Sequence, residues 1–272
     1  MKITLVQLNS NDDIAQNVKA IKDIILQHIK LQNVKDQRLF ILPENSLFFR
    51  VKEGDSLKPL SLNSSPVLEL WEFCQENKVK LHFTTAIQTS TGVVNGSVLL
   101  EGGHEPRLLY SKVHLFDIHL QGQAPIKESD FFQYGSDVTN FVLDDVKFGS
   151  SICYDLRFSE LYAKHAQKAV DVILVPAAFL VKTGQAHWEV LLRARAIESQ
   201  AYVLAPAQGG EHRSKDGSSI RHTYGHTLAV DPWGVVLGVM SDNEVGCLDV
   251  EIDLEKIKSV RRQIPMSHHR RL

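Results

Sequence analysis

Apolar and polar positions alternate along this chain with two different periods, and each period predicts one kind of element. From Ile14 to Ile29 the apolar side chains recur every three or four positions, which is the spacing of one face of an α-helix. Asp12 and Asp13 come just before this stripe, and an aspartate there accepts hydrogen bonds from the free N–H groups of a first helical turn. The pattern therefore predicts a helix that begins after one of these aspartates and ends near Leu31.

Short apolar runs bounded by turn residues predict strands along the rest of the chain. Thr91-Gly92 and Gly102-Gly103 separate three such runs, which favours hairpins, and Ser64 or Ser65 with Pro66 is typical of a helix start. The expected strands are Ile3–Leu8, Arg38–Leu42, Lys80–Gln88, Val94–Glu101, Arg107–Ser111, Val138–Leu143, Val146–Ile152, Val170–Pro176, Tyr202–Ala205, Gly225–Val230, Val235–Val239 and Glu244–Val250. The later helices are expected from Ser64 or Ser65 to about Asn77, and over Ser159–His165, His187–Gln200 and Leu254–Arg262.

This order of elements contains too many hairpins for a purely parallel sheet. Hairpins mixed with amphipathic helices fit two mixed sheets that pack face to face with the helices outside. The expected fold class is therefore α/β with mixed sheets. The chain has no internal repeat, low-complexity tract or linker-like segment, so we expect a single domain over residues 1–272.

The composition indicates an ordinary globular protein and argues against two classes of partner. The chain is 43% hydrophobic and 23% charged, which is usual for globular proteins. Its formal net charge of −2 offers no general attraction to nucleic acid or to an anionic membrane. No apolar run approaches the ~20 residues that cross a bilayer, and residues 1–6 read as the entry to a strand and not as a signal peptide.

The cysteines predict the cellular compartment. Cys74, Cys153 and Cys247 are widely spaced and odd in number, which favours a reducing compartment over a disulfide framework. We therefore expect the protein in the cytoplasm. The cysteines also lack the close pairs of a zinc site, and the sequence predicts neither a metal nor another cofactor.

Cys153 stands where a strand is expected to turn into a helix, between Val146–Ile152 and Ser159–His165. The N-terminus of that helix would favour the thiolate over the thiol, and free N–H groups there can hold a developing oxyanion. The arrangement is typical of a nucleophile elbow with Cys in place of Ser. By itself, however, a cysteine after a strand is more often a small buried hydrophobe.

Two further ionisable side chains follow other expected strands. Glu44 comes after the apolar run that ends at Pro43, and Lys112 comes directly after Arg107–Ser111. Ligands of α/β sheets bind at the carboxyl ends of the strands, so Glu44, Lys112 and Cys153 are candidates for one catalytic site. Taken singly, Glu44 and Lys112 read as solvated surface residues.

Three segments in this order resemble the motifs of the nitrilase superfamily of carbon–nitrogen hydrolases: Pro43–Glu44, Tyr110–Asp117 and Cys153–Phe158. The resemblance continues through Thr183–Glu198, Tyr224–His226 and Asp231–Gly234 to the terminal His269–Arg271. Several motifs in the same order make a specific match. It is most similar to the branch that holds the deaminated-glutathione amidases and the ω-amidases.

The resemblance implies an enzyme that hydrolyses linear amide C–N bonds through a cysteine thioester and releases ammonia. It assigns Glu44 as the base, Cys153 as the nucleophile, and Lys112 with the backbone N–H of Tyr154 as the oxyanion donors. It adds Glu128 as a second carboxylate that holds Lys112 or positions the substrate amide. Such a mechanism needs only side chains and backbone groups, without a cofactor.

The resemblance also implies the architecture and the assembly. Family members have a four-layer α-β-β-α sandwich, and they form homodimers or higher homo-oligomers through helices that pack across the interface. The C-terminal segment 253–272 is a candidate for this subunit contact. Periodicity alone shows neither point.

The expected substrate is a small ω-amide that carries a carboxylate, such as deaminated glutathione, because the branch resemblance implies it. Arginine binds carboxylates well, and Arg157 is the first candidate and Arg193 the second. The other side chains that the resemblance places along the pocket are Phe116, Tyr154, Ala178, Phe179 and Thr183.

Other functions stay open at this point. The same triad serves ω-amidases of α-keto acid amides, N-carbamoyl amino acid hydrolases and nitrilases, and a catalytically silent binding protein on this fold is an alternative of another class. A Cys–His protease would recruit His114, His187 or His226, but none of them stands in a protease signature. We interpret His114 as a hydrogen-bonded structural residue.

Overall fold

The computed structural model describes residues 1–33, 38–52, 54–119 and 125–271, which form alternating strands and helices. The strands are β1 (Lys2–Gln7), β2 (Leu39–Ile41), β3 (Lys80–Gln88), β4 (Val93–Leu100), β5 (Arg107–Ser111), β6 (Asp117–Ile118), β7 (Ile126–Lys127), β8 (Asn140–Leu143), β9 (Val146–Ser150), β10 (Val172–Leu174), β11 (Tyr202–Ala205), β12 (Gly209–Arg213), β13 (Ile220–Tyr224), β14 (Leu228–Val230), β15 (Val236–Val239) and β16 (Gly246–Glu251). The α-helices are α1 (Ile14–Gln32), α2 (Ser65–Asn77), α3 (Ser159–Gln167), α4 (Val181–Ser199), α5 (Leu254–Gln263) and α6 (Met266–His269). None of the helices in these residues is both long and apolar enough to cross a membrane.

Most of the strands belong to two six-stranded mixed sheets. The first sheet has the order β16-β1-β2-β3-β4-β5, and the second has the order β15-β14-β11-β10-β9-β8. β1, β2 and β3 are parallel in the first sheet, as are β9, β10 and β11 in the second. Parallel neighbours need a crossover connection, and α1, α2, α3 and α4 supply these connections. The fold is therefore the mixed α/β fold that the sequence predicts.

The apolar side chains are buried in three layers. Leu5 of β1 and Val172 of β10 lie in the layer between the two sheets. The next residues along the chain, Val6 and Ile173, lie in the outer layers under the helices, because successive side chains of a strand point to opposite faces. The stacking is helix, sheet, sheet, helix, which confirms the α-β-β-α sandwich.

Helix α1 forms as its sequence predicts. The Asp13 carboxylate accepts hydrogen bonds from the backbone N–H groups of Ala15 and Gln16, so Asp13 is the N-cap. Val18 and Ile25 of the apolar stripe are buried against the first sheet. The local signals were sufficient here because the cap and the stripe indicate the same helix.

Two elements differ from the expectation. Helix α4 begins at Val181, well before the expected start at His187, and the β12–β13 hairpin occupies a stretch where no strand was predicted. The reason is tertiary packing of the helix start on the hairpin. A side chain at Gly184 would collide with the ring of Tyr224, since an added Cβ would lie 2.2 Å from its Cγ. The expected strand Gly225–Val230 is correspondingly shorter at its beginning.

The C-terminal segment packs on the body of the protein through α5. The Asp253 side chain caps this helix, and Ile257 is buried in the layer between the sheets. Arg261 lies 3.6 Å from Asp171, and its guanidinium donates to the Val170 carbonyl oxygen. The contact of residues 253–272 with a second subunit stays a prediction.

Candidate active site

The carboxyl ends of strands from both sheets meet at one edge of the sandwich. In the first sheet β2 leads to Glu44 and β5 leads to Lys112, and both strands point the same way because β4 lies antiparallel between β3 and β5. In the second sheet β9 leads to Cys153, and its parallel neighbour β10 leads to Ala178. The Gln208 amide joins the sheets here by donating to the Glu44 carbonyl oxygen over 3.0 Å.

The Glu44 carboxylate contacts every other part of the site. Its Oε1 accepts hydrogen bonds from Lys112 Nζ at 2.8 Å and Asn95 Nδ2 at 2.9 Å. Its Oε2 accepts from the Ala178 N–H at 3.1 Å, and its charge raises the pKa of the Cys153 thiol. Glu44 is therefore placed to accept the proton of the sulfur while fixed donors hold its negative charge.

Lys112 is buried between two carboxylates. Its Nζ lies 2.8 Å from Glu44 Oε1 and 2.9 Å from Glu128 Oε2. Burial alone would lower the pKa of this amine, but the carboxylates of Glu128 and Glu44 raise it well above its ordinary value. Lys112 is therefore a cation at neutral pH. Glu128 is itself held by the Phe116 N–H at 2.6 Å, so the structure places it beside the other three side chains.

Asn95 is a residue of this site that the sequence analysis missed. It is buried in β4, opposite Ala86 at the end of β3. Its Nδ2 donates to Glu44 Oε1 at 2.9 Å and to Glu128 Oε1 at 3.0 Å. Its backbone carbonyl oxygen accepts a hydrogen bond from the backbone N–H of Lys112. The sequence contained a signal for this residue, because Asn95 stands in the mostly apolar run Val93–Leu100. A side-chain amide in a buried strand needs a polar partner.

Cys153 occupies a strained turn after β9. Its φ is +48°, a left-handed conformation that residues other than glycine seldom adopt. The Cys153 N–H donates to the Pro176 carbonyl oxygen over 3.0 Å, which holds the turn against the strand end of β10. A short 3-10 helix over Cys153–Arg157 follows, and the α-helix begins only at Ser159. The predicted α-helix start at Ser159 is confirmed, and the 3-10 helix lies between it and Cys153.

The resting state of the nucleophile also differs from the expectation. Burial raises the pKa of the Cys153 thiol well above its ordinary value, and the Glu44 carboxylate raises it further. The Lys112 cation and the Ala178 N–H act in the opposite direction without cancelling this shift. The expectation of a helix-stabilised thiolate is thus wrong for the free protein, which holds a neutral thiol.

Asp155 joins the turn of the nucleophile to the end of β5. It is fully buried, and its Oδ2 accepts from the Tyr110 hydroxyl at 2.7 Å and from the Ile152 N–H at 2.9 Å. Its Oδ1 lies 2.7 Å from His114 Nδ1 and accepts from the His114 N–H at 2.9 Å. The His114 ring also stacks on Phe158. These contacts give His114 the structural role that we predicted.

A pocket that opens to solvent, with a cavity volume of about 100 Å³, leads to these side chains. Of the seven residues that the sequence analysis placed along the pocket besides the catalytic group, all but Arg193 line it. The described lining consists of Glu44, Asn45, Phe48, Phe49, Arg50, Leu57, Lys112, Phe116, Ile126, Glu128, Phe132, Cys153, Tyr154, Arg157, Ala178, Phe179, Leu180, Thr183 and Arg221.

The two arginines proposed as carboxylate ligands lie in different places. Arg157 lines the pocket, with its Nη1 3.0 Å from His187 Nδ1. Arg193 lies outside the pocket, because α4 turns its side chain outward and its Nε donates to the Gly234 carbonyl oxygen at 2.9 Å. The structure thus corrects the expectation for Arg193. Two arginines that the sequence analysis did not single out line the pocket instead: Arg50 and Arg221.

The histidines of the protease alternative make other contacts. His114 is bound to Asp155, as described above, and His187 is exposed and lies against Arg157. The Nδ1 of His226 lies 2.7 Å from the Tyr224 carbonyl oxygen, and its ring stacks on Tyr224. The ionisable side chains that act on the thiol are the Glu44 carboxylate and the Lys112 ammonium, which favours the amidase arrangement.

Comparisons with known proteins agree with this geometry. Residues 2–262 match the model of the family described as Carbon-nitrogen hydrolase. The chain is 32% identical to a deaminated glutathione amidase of Dictyostelium discoideum over 100% of this chain and 94% of that protein. It is 34% identical to a deaminated glutathione amidase of Yersinia enterocolitica over 99% of this chain and 92% of that protein.

A solved structure supports the same assignment. The crystal structure of Saccharomyces cerevisiae Nit3, a member of branch 10 of the nitrilase superfamily, matches with a TM-score of 0.81 at 27% identity. The match covers 100% of this chain and 97% of that chain. The chain therefore belongs to the carbon–nitrogen hydrolase family, within the nitrilase superfamily, and is an amidase.

Proposed function

We propose that this amidase hydrolyses ω-amides of small carboxylic acids, and deaminated glutathione best, through a thioester on Cys153. The observation that carries the proposal is that Glu44, which binds the Lys112 ammonium, lines one pocket together with Lys112 and Cys153, where its charge raises the pKa of the thiol. Arginines also line this pocket. The amidases of Dictyostelium and Yersinia that this chain resembles are named for that substrate. An acid of this kind is favoured by positive charge along the pocket.

In the proposed mechanism the Cys153 sulfur attacks the amide carbonyl carbon while its proton passes to Glu44. The electron pair of the C=O bond moves to the oxygen, where the Lys112 ammonium and the Tyr154 N–H stabilise the oxyanion. One such donor typically contributes about 3–4 kcal/mol to transition-state stabilisation. The C–N bond then breaks, the departing amine takes the proton from Glu44, and the acyl group remains on sulfur.

Water completes the cycle. Glu44 accepts a proton from the water molecule as its oxygen attacks the thioester carbonyl, and the C–S bond then breaks. The sulfur recovers the proton, and the carboxylic acid is released. Glu128 is not required to exchange a proton, because its contacts with Lys112 and with the Phe116 N–H give it the role of holding the oxyanion donor in place.

The leaving group depends on the amide that is cleaved. Deaminated glutathione is an amide of the dipeptide cysteinylglycine, so its hydrolysis releases a dipeptide amine with a free thiol. The expectation of ammonia release applies to primary ω-amides such as α-ketoglutaramate. An assay of ammonia alone would therefore miss the substrate that we expect to be best.

A substrate panel tests the proposal. The purified protein is incubated with deaminated glutathione, α-ketoglutaramate, an N-carbamoyl amino acid and an aliphatic nitrile, and the released dipeptide thiol, ammonia and carbon dioxide are measured. We expect kcat/KM to be highest for deaminated glutathione, lower for α-ketoglutaramate and lowest for the nitrile. If the nitrile or the carbamoyl compound is turned over faster than both ω-amides, the assigned substrate class is wrong.

We also propose that the protein is a homodimer formed through the outer face of α4. Val190 and Ile197 on this face are 60% and 47% exposed, and Trp233 beside it is 50% exposed. The turn after Trp233 is fastened to α4 because Arg193 Nε donates to the Gly234 carbonyl oxygen. An exposed apolar patch of this kind is typical of a protein interface.

Sedimentation velocity of the wild type and two variants tests the dimer. Ile197→Glu places a charge in the patch, so we expect it to dissociate the dimer at micromolar concentration. Val142→Glu is the matched control, because Val142 is also an exposed apolar residue, at 63%. It lies on β8, which is the edge strand of the second sheet opposite to β15, and Trp233 precedes β15. A wild-type protein that sediments as a monomer at every concentration would refute the proposal.

We place the enzyme in the cytoplasm. Cys74, Cys153 and Cys247 are all free, and the proposed nucleophile must stay reduced to react. Cell fractionation with an antibody to the protein tests this location. Recovery in a secreted or membrane fraction would contradict it.

A further inference from the structure

Arg157 is a pocket cation with no carboxylate partner among the residues that the structure describes. It ends the 3-10 helix that begins at the nucleophile, and its side chain lines the pocket. The two carboxylates of the described lining, Glu44 and Glu128, are both paired with Lys112. The charge of Arg157 is therefore available to an anionic ligand.

The imidazole of His187 holds this guanidinium from the side of α4. The Nη1 of Arg157 lies 3.0 Å from the Nδ1 of His187. A guanidinium has N–H donors and no acceptor, so Nδ1 accepts this hydrogen bond, and the ring that makes it is neutral with its proton on Nε2. Thr183, one turn earlier on α4, lines the pocket, whereas His187 is exposed to solvent.

Three contacts together fix the orientation of the guanidinium. Its central carbon lies 5.8 Å from the ring centroid of Tyr154 and 5.4 Å from that of Phe179, and His187 holds Nη1. The hydrogen bond to His187 leaves the N–H donors of Nε and Nη2, which are a pair that binds a carboxylate through two parallel hydrogen bonds. The arginine is thus prepared for a carboxylate before a ligand enters.

Other charged groups around His187 leave this contact to Arg157. The residues one turn away on α4, at positions 183, 184, 190 and 191, carry no charge. The titratable side chains of α4 near His187 and of the elements packed on α4 are Lys182 and Glu189 on α4 itself, Tyr154 and Asp155 on the 3-10 helix, Glu160, Tyr162, Lys164 and His165 on α3, and Arg221, His222 and Tyr224 on β13. Among the described residues none of these forms a hydrogen bond or an ion pair with the His187 ring.

From these contacts we infer that His187 is a positioning residue that holds Arg157 for the substrate carboxylate, and that only its neutral ring does so. A proton taken from solvent onto Nδ1 removes the acceptor and puts a second positive charge beside the guanidinium. Histidine side chains take up this proton between pH 5 and 8, so the binding of carboxylate substrates is strongest above this range and weakens as the pH falls. The inference rests on the proposed function, and it adds what positions the carboxylate ligand.

The experiment measures KM and kcat for deaminated glutathione at pH 7.5 and pH 5.5. We expect the wild-type KM to rise about fivefold between these pH values. His187→Leu lacks the acceptor, so its KM should be about fivefold to tenfold above the wild type already at pH 7.5, with kcat changed less than twofold. His187→Asn keeps an acceptor oxygen near the position of Nδ1 and does not titrate. Its KM should stay near the wild-type value of pH 7.5 at both pH values.

His222→Leu is the matched control. His222 is an exposed histidine on β13 and lies 3.4 Å from Glu211. This variant should keep the wild-type KM and its rise at pH 5.5. Because all variants share the other titrating groups, the difference between the wild type and His187→Asn reports on the His187 ring.

Three outcomes overturn the inference. The first is a His187→Leu protein with the wild-type KM, and the second is a wild-type KM that changes with pH in parallel with that of His187→Asn, or that falls at pH 5.5. The third is a His187→Leu protein that loses kcat while KM stays unchanged, which shows a merely structural role.

A wild type that does not cleave deaminated glutathione or α-ketoglutaramate contradicts the proposed function. Calorimetric binding of deaminated glutathione to the Cys153→Ala protein then decides about His187. Binding that weakens about fivefold from pH 7.5 to pH 5.5, and that does not weaken when His187→Asn is added, supports the positioning role independently. Binding with the same pH dependence in both proteins, or no binding at either pH, refutes it.

Discussion

At the scale of single residues, the backbone conformation of Cys153 bears directly on the candidate active site. Its φ of +48° lies in the left-handed region, where an L residue with a Cβ is destabilised by about 1–2 kcal/mol relative to glycine. The N–H of the same residue is bound to the Pro176 carbonyl oxygen, so the surrounding structure maintains the strain. Such strain is typical of residues whose side chain must point into a site.

We expect both Cys153→Ala and Cys153→Gly to lose at least about a thousandfold in kcat/KM, because no nucleophile remains. Cys153→Gly should nevertheless be more stable than Cys153→Ala by about 1 kcal/mol, since glycine adopts the positive φ without strain. Turnover assays and urea unfolding of the two variants measure these effects. Cys247→Ala is the control and should keep wild-type turnover. An active Cys153→Ala enzyme would end the assignment of the nucleophile.

Asn95 is the second decisive residue. Its amide donates to both Glu44 and Glu128, so the loss of this amide leaves the buried Glu44 carboxylate and the partly buried Glu128 carboxylate with one donor fewer. We expect Asn95→Ala to lower kcat by about tenfold to a hundredfold while KM changes less than threefold. Steady-state kinetics on the best substrate measure the two constants separately.

Ser97→Ala provides the matched control for Asn95. Ser97 is buried on the same strand two positions later, so it points to the same face of the sheet. We expect this variant to keep the wild-type kcat. Equal losses in both variants would show that Asn95 acts through the packing of β4, and not through the carboxylates.

At the scale of elements, Asp155 connects the turn after β9 to the end of β5. It accepts hydrogen bonds from Tyr110, Ile152 and the His114 backbone, and it pairs with the His114 ring. The nucleophile and Lys112 belong to different sheets, and this carboxylate sets the position of one relative to the other. Asp155 is therefore a positioning residue.

We expect Asp155→Asn to destabilise the protein by about 2–4 kcal/mol, because the amide cannot accept from all of these buried donors. Urea unfolding at pH 7 measures the change in the free energy of unfolding. Asp137→Asn is the control, since Asp137 is exposed and its carboxylate accepts a hydrogen bond from the hydroxyl of the neighbouring Ser136. A stable Asp155→Asn protein would show that the connection is not needed for the fold.

At the scale of the whole molecule, buried histidines govern the stability at acid pH. Burial lowers the pKa of His82 to about 3 and the pKa of His165 and His212 to about 4, from an ordinary value of 6.5. The unfolded chain therefore binds more protons than the folded protein between these values. The stabilising contribution is fully present above pH 6.5 and is lost as the pH falls below it.

His82→Leu tests this pH dependence. His82 lies between the sheets, because it is paired with Leu99 of the layer between them, and leucine fits an apolar layer. We expect the wild type to lose about 2 kcal/mol more than the variant when the pH is lowered from 7 to 5, since one histidine fewer takes up a proton on unfolding. Urea unfolding at both pH values measures the difference. Parallel losses in the two proteins would contradict the assignment.

Local signals were sufficient to predict several features of this protein from the sequence by itself. Helix α1 was predictable because its cap and its apolar stripe lie within one short segment. Glu44, Lys112 and Cys153 were predictable because each follows a strand within a short motif that the nitrilase superfamily shares. The family and the sandwich followed from those motifs in their order.

Only the tertiary structure decided the features that depend on distant residues. Asn95 joins the site because β4 lies beside β3, and Arg193 leaves it because α4 turns its side chain outward. The neutral state of the Cys153 thiol depends on burial and on Glu44, which comes from the other sheet. Arg221 reaches the pocket on a hairpin that packs against the start of α4. A sequence pattern carries no information on such contacts, because their free energy arises from burial and from charges that only the folded chain brings together.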